Sequence, residues 1–205
     1  MIHVREMPVR FGNAKLGKDT CIFNMTTAMD CPSFKKGFCK IRSLCYAIKA
    51  EFIWPDVLKF REEQNYVWNK ESAMSIASSM MRQINRRIIK TKYIRFSESG
   101  DFTTQADIDK LSKIAKIMHK WQFYGYTNRH DLDFSSVPLN VAIQGNGSMI
   151  HNQINVVKKA TGKYFVCPGN CKVCNFCKVR RGQVLEMVEH GHRWNKLENE
   201  TVCAA

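Results

Sequence analysis

Short, densely apolar runs along the chain are separated by longer stretches in which apolar residues return every three or four positions. Cys21-Ile-Phe-Asn-Met25 is one such short run and predicts a buried strand. Tyr93-Ile-Arg-Phe-Ser97, Gln122-Phe-Tyr-Gly-Tyr-Thr127, Val141-Ala-Ile-Gln144 and Gln183-Val-Leu-Glu-Met-Val188 predict four more. Between the first two, Leu44, Ala47, Ile48 and Phe52 fall at helical spacing within Ile41–Phe52. The helical period resumes at Val57, Leu58, Phe60, Val67, Ile76, Met80, Ile84 and Ile88, as two helices or one long bent one from Asp56 to about Ile89. Ile108, Leu111, Ile114, Ala115 and Met118 form the stripe of a further helix, with Thr103 or Thr104 as its N-cap. Val156 begins a short segment whose type the pattern leaves open.

Strands separated by helical stretches indicate an α/β fold with a largely parallel sheet. The 205 residues fall short of the ~250 of a complete (β/α)₈ barrel. The expectation is an incomplete (β/α) barrel-like sheet with Cys-rich metal-binding loops. It divides into an irregular arm over 1–19, an α/β core over 20–160 that includes an N-terminal Cys loop, and a C-terminal Cys-cluster segment with the last strand over 161–205. Chemistry in such sheets gathers at the carboxyl ends of the strands. The Cys31 loop, the Glu98–Asp101 loop and the Thr127–Asp131 loop would all lie there.

Charge narrows the partners. Lys plus Arg less Asp plus Glu is 32 − 18 = +14, a balance that attracts polyanions. It is unevenly placed, because Phe134–Leu185 holds no Asp or Glu while carrying Lys158, Lys159, Lys163, Lys172, Lys178, Arg180 and Arg181. Arg82–Arg95 is a second acid-free basic stretch. Two readings stand side by side: nucleic acid or a nucleotide as partner, or a solvated basic face offsetting buried anionic clusters. No run of 18 apolar residues occurs, so no membrane helix is expected. The first residues lack the apolar core of a secretory signal, which points to the cytoplasm.

The nine cysteines would then be reduced thiols, and clustered reduced thiols usually mean metal. Cys167, Cys171, Cys174 and Cys177 lie within eleven residues. Their overlapping CxxCxxC run is the compact spacing that ferredoxins wrap around a cubane cluster, so a 4Fe-4S cluster is favoured over zinc. Cys31, Cys39 and Cys45 form a second set that would hold a cluster with one open iron, as a catalytic metal requires. The alternatives are that these three complete the C-terminal site, or bind zinc with Cys21. Cys21 and Cys203 are otherwise read as ordinary thiols.

Glu98 and Asp101, in Ser97-Glu-Ser-Gly-Asp101, follow a strand directly, and two carboxylates with Ser99 and Gly100 there can bind a substrate amine, a ribose hydroxyl or a cation. Structural alternatives are that Asp101 caps the next helix and Glu98 pairs with Arg95. Tyr126, Thr127 and Asn128 at the next strand end can line the same pocket or form a turn. His190 and His192 flank a glycine after the last strand and are read as turn or surface residues.

Together, Cys31-Pro, Cys39, Cys45-Tyr-Ala, Ser99-Gly-Asp101-Phe, Tyr126-Thr127, Cys167-Pro, Cys174/Cys177 and His190-Gly191 resemble the phage gene product 88 family over about residues 20–192. The resemblance implies metal binding, a phage origin and hence the host cytoplasm. A more distant likeness, through the Cys-rich loop closing on Cys-Tyr-Ala, is to phage radical-SAM-like proteins with a partial barrel. Here the chain departs from the pattern, with seven and five residues between its cysteines instead of three and two. The resulting expectation is an iron–sulfur protein with one or two 4Fe-4S clusters and S-adenosylmethionine as a cofactor, modifying a nucleotide or nucleic acid by radical or redox chemistry. Its catalytic carboxylates would be Glu98 and Asp101. The alternative is a non-enzymatic basic module, stapled by zinc or closed clusters, that binds nucleic acid or a host protein.

Overall fold

A computed structural model of the chain describes residues 5–39 and 45–189. The strands are β1 (Arg10–Phe11), β2 (Thr20–Phe23), β3 (Tyr93–Phe96), β4 (Gln122–Thr127), β5 (Val141–Asn146), β6 (Asn152–Val157), β7 (Phe165–Val166) and β8 (Val184–Val188). The helices are α1 (Pro32–Lys35), α2 (Tyr46–Ile53), α3 (Pro55–Lys70), α4 (Ala73–Asn85), α5 (Gln105–Ile117) and α6 (Phe176–Val179). All eight strands join one sheet in the order β1-β2-β3-β4-β5-β6-β8-β7. Only β1 runs antiparallel to its neighbour. The sheet is open, with β1 and β7 at its edges.

Sequence chemistry explains the helix ends. Pro55 opens α3, where its missing N–H costs nothing. Ser72 then breaks the long helical pattern into two, its hydroxyl accepting the Ser75 N–H at 3.1 Å as the N-cap of α4. Thr104 caps α5, and the Asp107 carboxylate reaches back to the Thr104 N–H at 3.1 Å.

Strand alternation sorts the two faces of the sheet. Cys21, Phe23, Ile94, Phe96, Phe123, Val141 and Ile143 point to the helices and pack with Val67, Trp68, Ile76 and Met80 of α3 and α4 and with Ile108, Leu111 and Ile114 of α5. Gly125 on this face allows strand and ring to meet, since a Cβ there would lie 2.1 Å from the Phe96 ring. The opposite face carries Tyr93, Arg95, Tyr124, Tyr126, Gln144 and Asn152, and the 167–180 segment with α6 lies over it. Gln144 donates to the Cys177 carbonyl at 2.6 Å and Lys178 to the Cys171 carbonyl at 2.7 Å.

The C-terminal part departs from expectation. The strand β6 begins at Asn152, ahead of the segment of open type at Val156, and it follows β5 in parallel after only 147–151. Parallel neighbours ordinarily need a crossover of about a dozen residues. Here the strands share only three registered pairs, Gln144–Asn152, Gly145–Gln153 and Asn146–Ile154, so the chain has little distance to return. The strand β8 pairs with β6 along its length, so the C-terminal segment completes the same sheet. At the other end, the arm over 1–19 contributes β1 and the fully buried Met7.

Candidate functional site

The carboxyl ends of β2 to β5 bring together Asn24, Glu98–Asp101, Thr127–Asn128 and Asn146. Ser97 turns out of β3 at φ 50° and Gly100 follows at φ 71°. No side chain fits at Gly100, where a Cβ would meet the Thr26 hydroxyl at 1.8 Å.

Asp101 is buried beneath this turn, and its carboxylate accepts four hydrogen bonds. The donors are the Ser33 hydroxyl at 2.6 Å, the Thr127 hydroxyl at 2.6 Å, the Asn128 N–H at 2.9 Å and its neighbour Phe102 N–H at 2.8 Å. Burial pushes its carboxyl above the ordinary value, against the pull of these donors. All the acceptor positions of a carboxylate are thereby occupied. Asp101 ties α1, the β3 turn and the end of β4 together; the helix cap falls instead to Thr104.

Ser99 is equally built in, its N–H bonded to Asn24 at 2.8 Å and its hydroxyl to Glu51 at 3.1 Å. Thr127 is spent on Asp101, while the Asn128 side chain accepts from Asn146 at 2.9 Å. Glu98 differs. Its carboxylate accepts from the Asn13 side chain, its carbonyl accepts from the Tyr46 hydroxyl at 2.7 Å, and it lines a cavity of about 270 Å³ with Ile22, Asn24, Asp56, Phe60 and Arg61. Glu98 makes no ion pair with Arg95.

Three buried charged groups beside these loops escaped the sequence reading. Glu51 and Arg61 form an ion pair at 2.9 Å, and Glu51 also accepts the Ala28 and Met29 N–H groups at 2.7 and 3.0 Å. Arg129 grips both Asp131 oxygens at 2.7 and 2.8 Å. No spacing rule announces the first pair, ten residues apart on two helices.

The cysteines occupy three environments. Cys21 is fully buried in the apolar core, and burial pushes its thiol up to about 12, as an ordinary inert thiol. That position removes it as a fourth zinc ligand. Cys31 precedes α1, within electrostatic reach of Asp101 and Cys39; burial first, and the Asp101 charge second, push its thiol up to about 12. Cys45 precedes α2. In the C-terminal segment, Cys171 is within electrostatic reach of Cys167 and Cys174, and Cys177 within reach of Cys171 and Cys167. The Tyr126 hydroxyl lies 3.4 Å from the Cys177 sulfur. In donor chemistry and shared neighbourhood these four suit a thiolate-bound metal. Among the described residues, however, no three Cys, His, Asp or Glu side chains converge as a formed metal site. His190, His192 and Cys203 lie outside the described residues.

A family model for gene product 88 matches residues 7–148, more than half of the chain. The chain belongs to the gene product 88 family. The matched span covers β1 to β5 and the Glu98–Asp101 and Thr127–Asn128 turns. It begins earlier than the resemblance at residue 20 and stops before the Cys167–Cys177 cluster and His190. Comparison with curated proteins and with solved structures finds no match. Among the described residues no helix is long and apolar enough to cross a membrane.

Proposed function

We propose that this gene product 88 protein is a metal–thiolate protein of incomplete-barrel type, with an iron–sulfur centre at its C-terminal cysteines, that modifies a nucleotide or nucleic acid by redox or radical chemistry in the host cytoplasm. The observation that carries the reading is the common neighbourhood of Cys167, Cys171, Cys174 and Cys177 over the polar face of the sheet. A centre held by these four would supply one-electron chemistry when bound. Metal sites are seldom fully formed before the metal binds, so separated thiols accord with a site that closes on loading.

The chain's own residues give the substrate side. Asp101 has no free acceptor position and serves to hold the strand ends, and Asn24 and Arg61 are committed to Ser99 and Gln64 and to Glu51, so contact with a nucleotide or with S-adenosylmethionine falls to Glu98 at its cavity. Cys31, Cys39 and Cys45 remain the donors for a second, open centre.

Iron, zinc and acid-labile sulfide content of anaerobically purified protein tests this, together with the visible spectrum. About four to eight irons per chain with matching sulfide and broad absorbance near ~400 nm are expected for one or two cubane clusters. Cys174→Ala should lose the metal and solubility together, whereas Cys45→Ala should lose colour or activity with less effect on folding.

A colourless protein with one or two zincs would instead favour the second reading, a zinc-stapled basic module without turnover that binds nucleic acid or a host protein. Exposed Arg86, Lys90, Lys92, Lys158, Lys159 and Lys172 support that reading. Its signature is nucleic-acid binding that weakens steeply with salt.

A further inference from the structure

The segment between β4 and β5, the loop between β5 and β6 and the residue Arg181 ahead of β8 enclose a cavity of about 400 Å³. Leu132, Phe134, Met149 and Ile150 give it apolar walls, and His151 and Arg181 line it beside them. Its volume lies within the range of small-molecule sites, about 300–1,000 Å³. It shares no residue with the Glu98 cavity and none with the cysteines.

Arg181 is half-buried, and its Nη2 donates to the Val141 and Pro138 carbonyls at 2.6 and 2.7 Å, which seats the guanidinium against the start of β5. Its Nε is buried with no hydrogen-bond partner, and its Nη1 donates none among the described residues. Burial lowers its pKa, with no acid near enough to raise it. The two acids of the β4–β5 segment are spent elsewhere, Asp131 on the Arg129 guanidinium and Asp133 on the Ser135 N–H and hydroxyl. His151 adds no second charge at neutral pH, because burial and then Arg181 lower its pKa to about 4. His130 lies at the solvent side, exposed, with its Nδ1 3.0 Å from the Asn128 carbonyl. An unpaired guanidinium in an apolar wall suits one negative charge carried on an apolar body.

We propose that this cavity binds a small organic monocarboxylate, with its carboxylate on Arg181 and its apolar body against Leu132, Phe134, Met149 and Ile150. A phosphate dianion would bring a second charge that no second buried cation answers. The site is separate from the cysteines and from the Glu98 cavity, so it stands or falls independently of the metal reading.

Chemical-shift titration of the nitrogen-15-labelled full chain with benzoate, acetate, benzyl alcohol and inorganic phosphate tests the site. Benzoate should shift the amides of Met149, Ile150, His151 and Gly182. It should bind about tenfold or more tighter than acetate, which lacks the apolar body, and than benzyl alcohol, which lacks the charge. Phosphate should bind no tighter than acetate. Arg181→Met should weaken benzoate binding about tenfold or more, the effect of losing a charge-assisted contact. Because Arg181 also ties the start of β5, Met149→Glu is the second variant. Met149 is exposed, so a carboxylate there should abolish benzoate binding while the melting temperature stays near that of the wild type. The exposed Lys159→Met is the control and should bind benzoate as the wild type does. The proposal is overturned by a wild type that does not bind benzoate, by shifts confined to another part of the chain, or by phosphate binding tighter than benzoate. Benzoate binding unchanged in Arg181→Met and Met149→Glu, or lost equally in Lys159→Met, would overturn it too.

Discussion

The stretch from 7 to 148 and the stretch from 149 to 189 share one sheet but are held by different forces. The first buries aromatic and branched side chains between α3, α4, α5 and the inner face of β2 to β5. In the second, only Ile154 and Leu185 are buried apolar residues among those described, beside buried Asn152, Lys178 and Glu186. Its attachments are hydrogen bonds: Asn152 to Gln144 at 2.7 Å, Gln144 to the Cys177 carbonyl, and the Arg181 guanidinium to the Val141 carbonyl at 2.6 Å. Hydrophobic burial is non-directional and tolerates adjustment, whereas a polar layer is stable only when each partner is present. The matched family span thus coincides with the stretch that carries the apolar core. The cysteine-rich half is where an additional ligand would change stability most.

Breaking the apolar half should cost most. Trp68 is 1% exposed, stacks on Phe23 at 5.9 Å between ring centroids and donates to Asp107 at 2.8 Å. Trp68→Ala should lower the unfolding free energy by about 3–5 kcal/mol, read from urea denaturation; a loss below about 1 kcal/mol would show that this core repacks freely. Glu51→Ala leaves Arg61 buried without its carboxylate and frees two N–H groups, for a loss of about 3 kcal/mol or more. Replacing both residues by Met should recover much of that loss. If the double variant is no better than Glu51→Ala, the pair's hydrogen bonds to the Ala28–Met29 turn matter more than the unpaired charge.

The same contrast explains what could be read from the amino acids. The strands β2 to β5 and α3 to α5 are legible because burying one face imposes a period of two or of 3.6 on apolar residues. The turn residues were legible too: the Asp101 and Thr127 turns do meet, joined at 2.6 Å. Their roles were not legible, since whether a carboxylate is free depends on donors such as Ser33, 68 positions away. The strand β6 was obscured because Asn152, Gln153 and Asn155 are poor strand formers, and a hydrogen bond to Gln144 takes the place of apolar packing. Arg95 left a signal in its strand: the alternation Tyr93-Ile-Arg-Phe places it on the face opposite Ile94 and Phe96. In the sequence it reads as one of a basic series and as an alternative partner for Glu98, and the structure shows no such pair.

Loosening the polar half should cost less and act locally. Gln144 is fully buried and bridges three groups: the Asn152 side chain and the Cys177 and Ala142 carbonyls. Gln144→Ala leaves those partners unsatisfied, for about 1–3 kcal/mol. Hydrogen exchange should accelerate over 167–178 with little change in α4 and α5. Uniform acceleration across the chain would mean that the two halves unfold as one unit.

The smallest effect expected is a pH dependence seated at the junction. His151, in the β5–β6 loop, accepts the Ile143 N–H at its Nδ1 at 3.1 Å and lines a cavity of about 400 Å³ with His130, Phe134, Met149 and Arg181. Burial, and then the positive charge of Arg181, lower its pKa from 6.5 to about 4. Above pH ~6.5 the imidazole is neutral in both folded and unfolded chains, and its contribution to stability is fully present. As pH falls toward 4, the unfolded chain gains a proton that the folded chain refuses, so stability is lost across that window. Because solvent reaches part of the ring, the loss is set at about 1–2 kcal/mol. His151→Asn keeps an acceptor for the Ile143 N–H without titrating, so between pH 7.5 and 4.5 it should lose less stability than the wild type by that amount. Equal losses in the two proteins would place the acid sensitivity elsewhere, and would leave the junction governed by its hydrogen bonds alone.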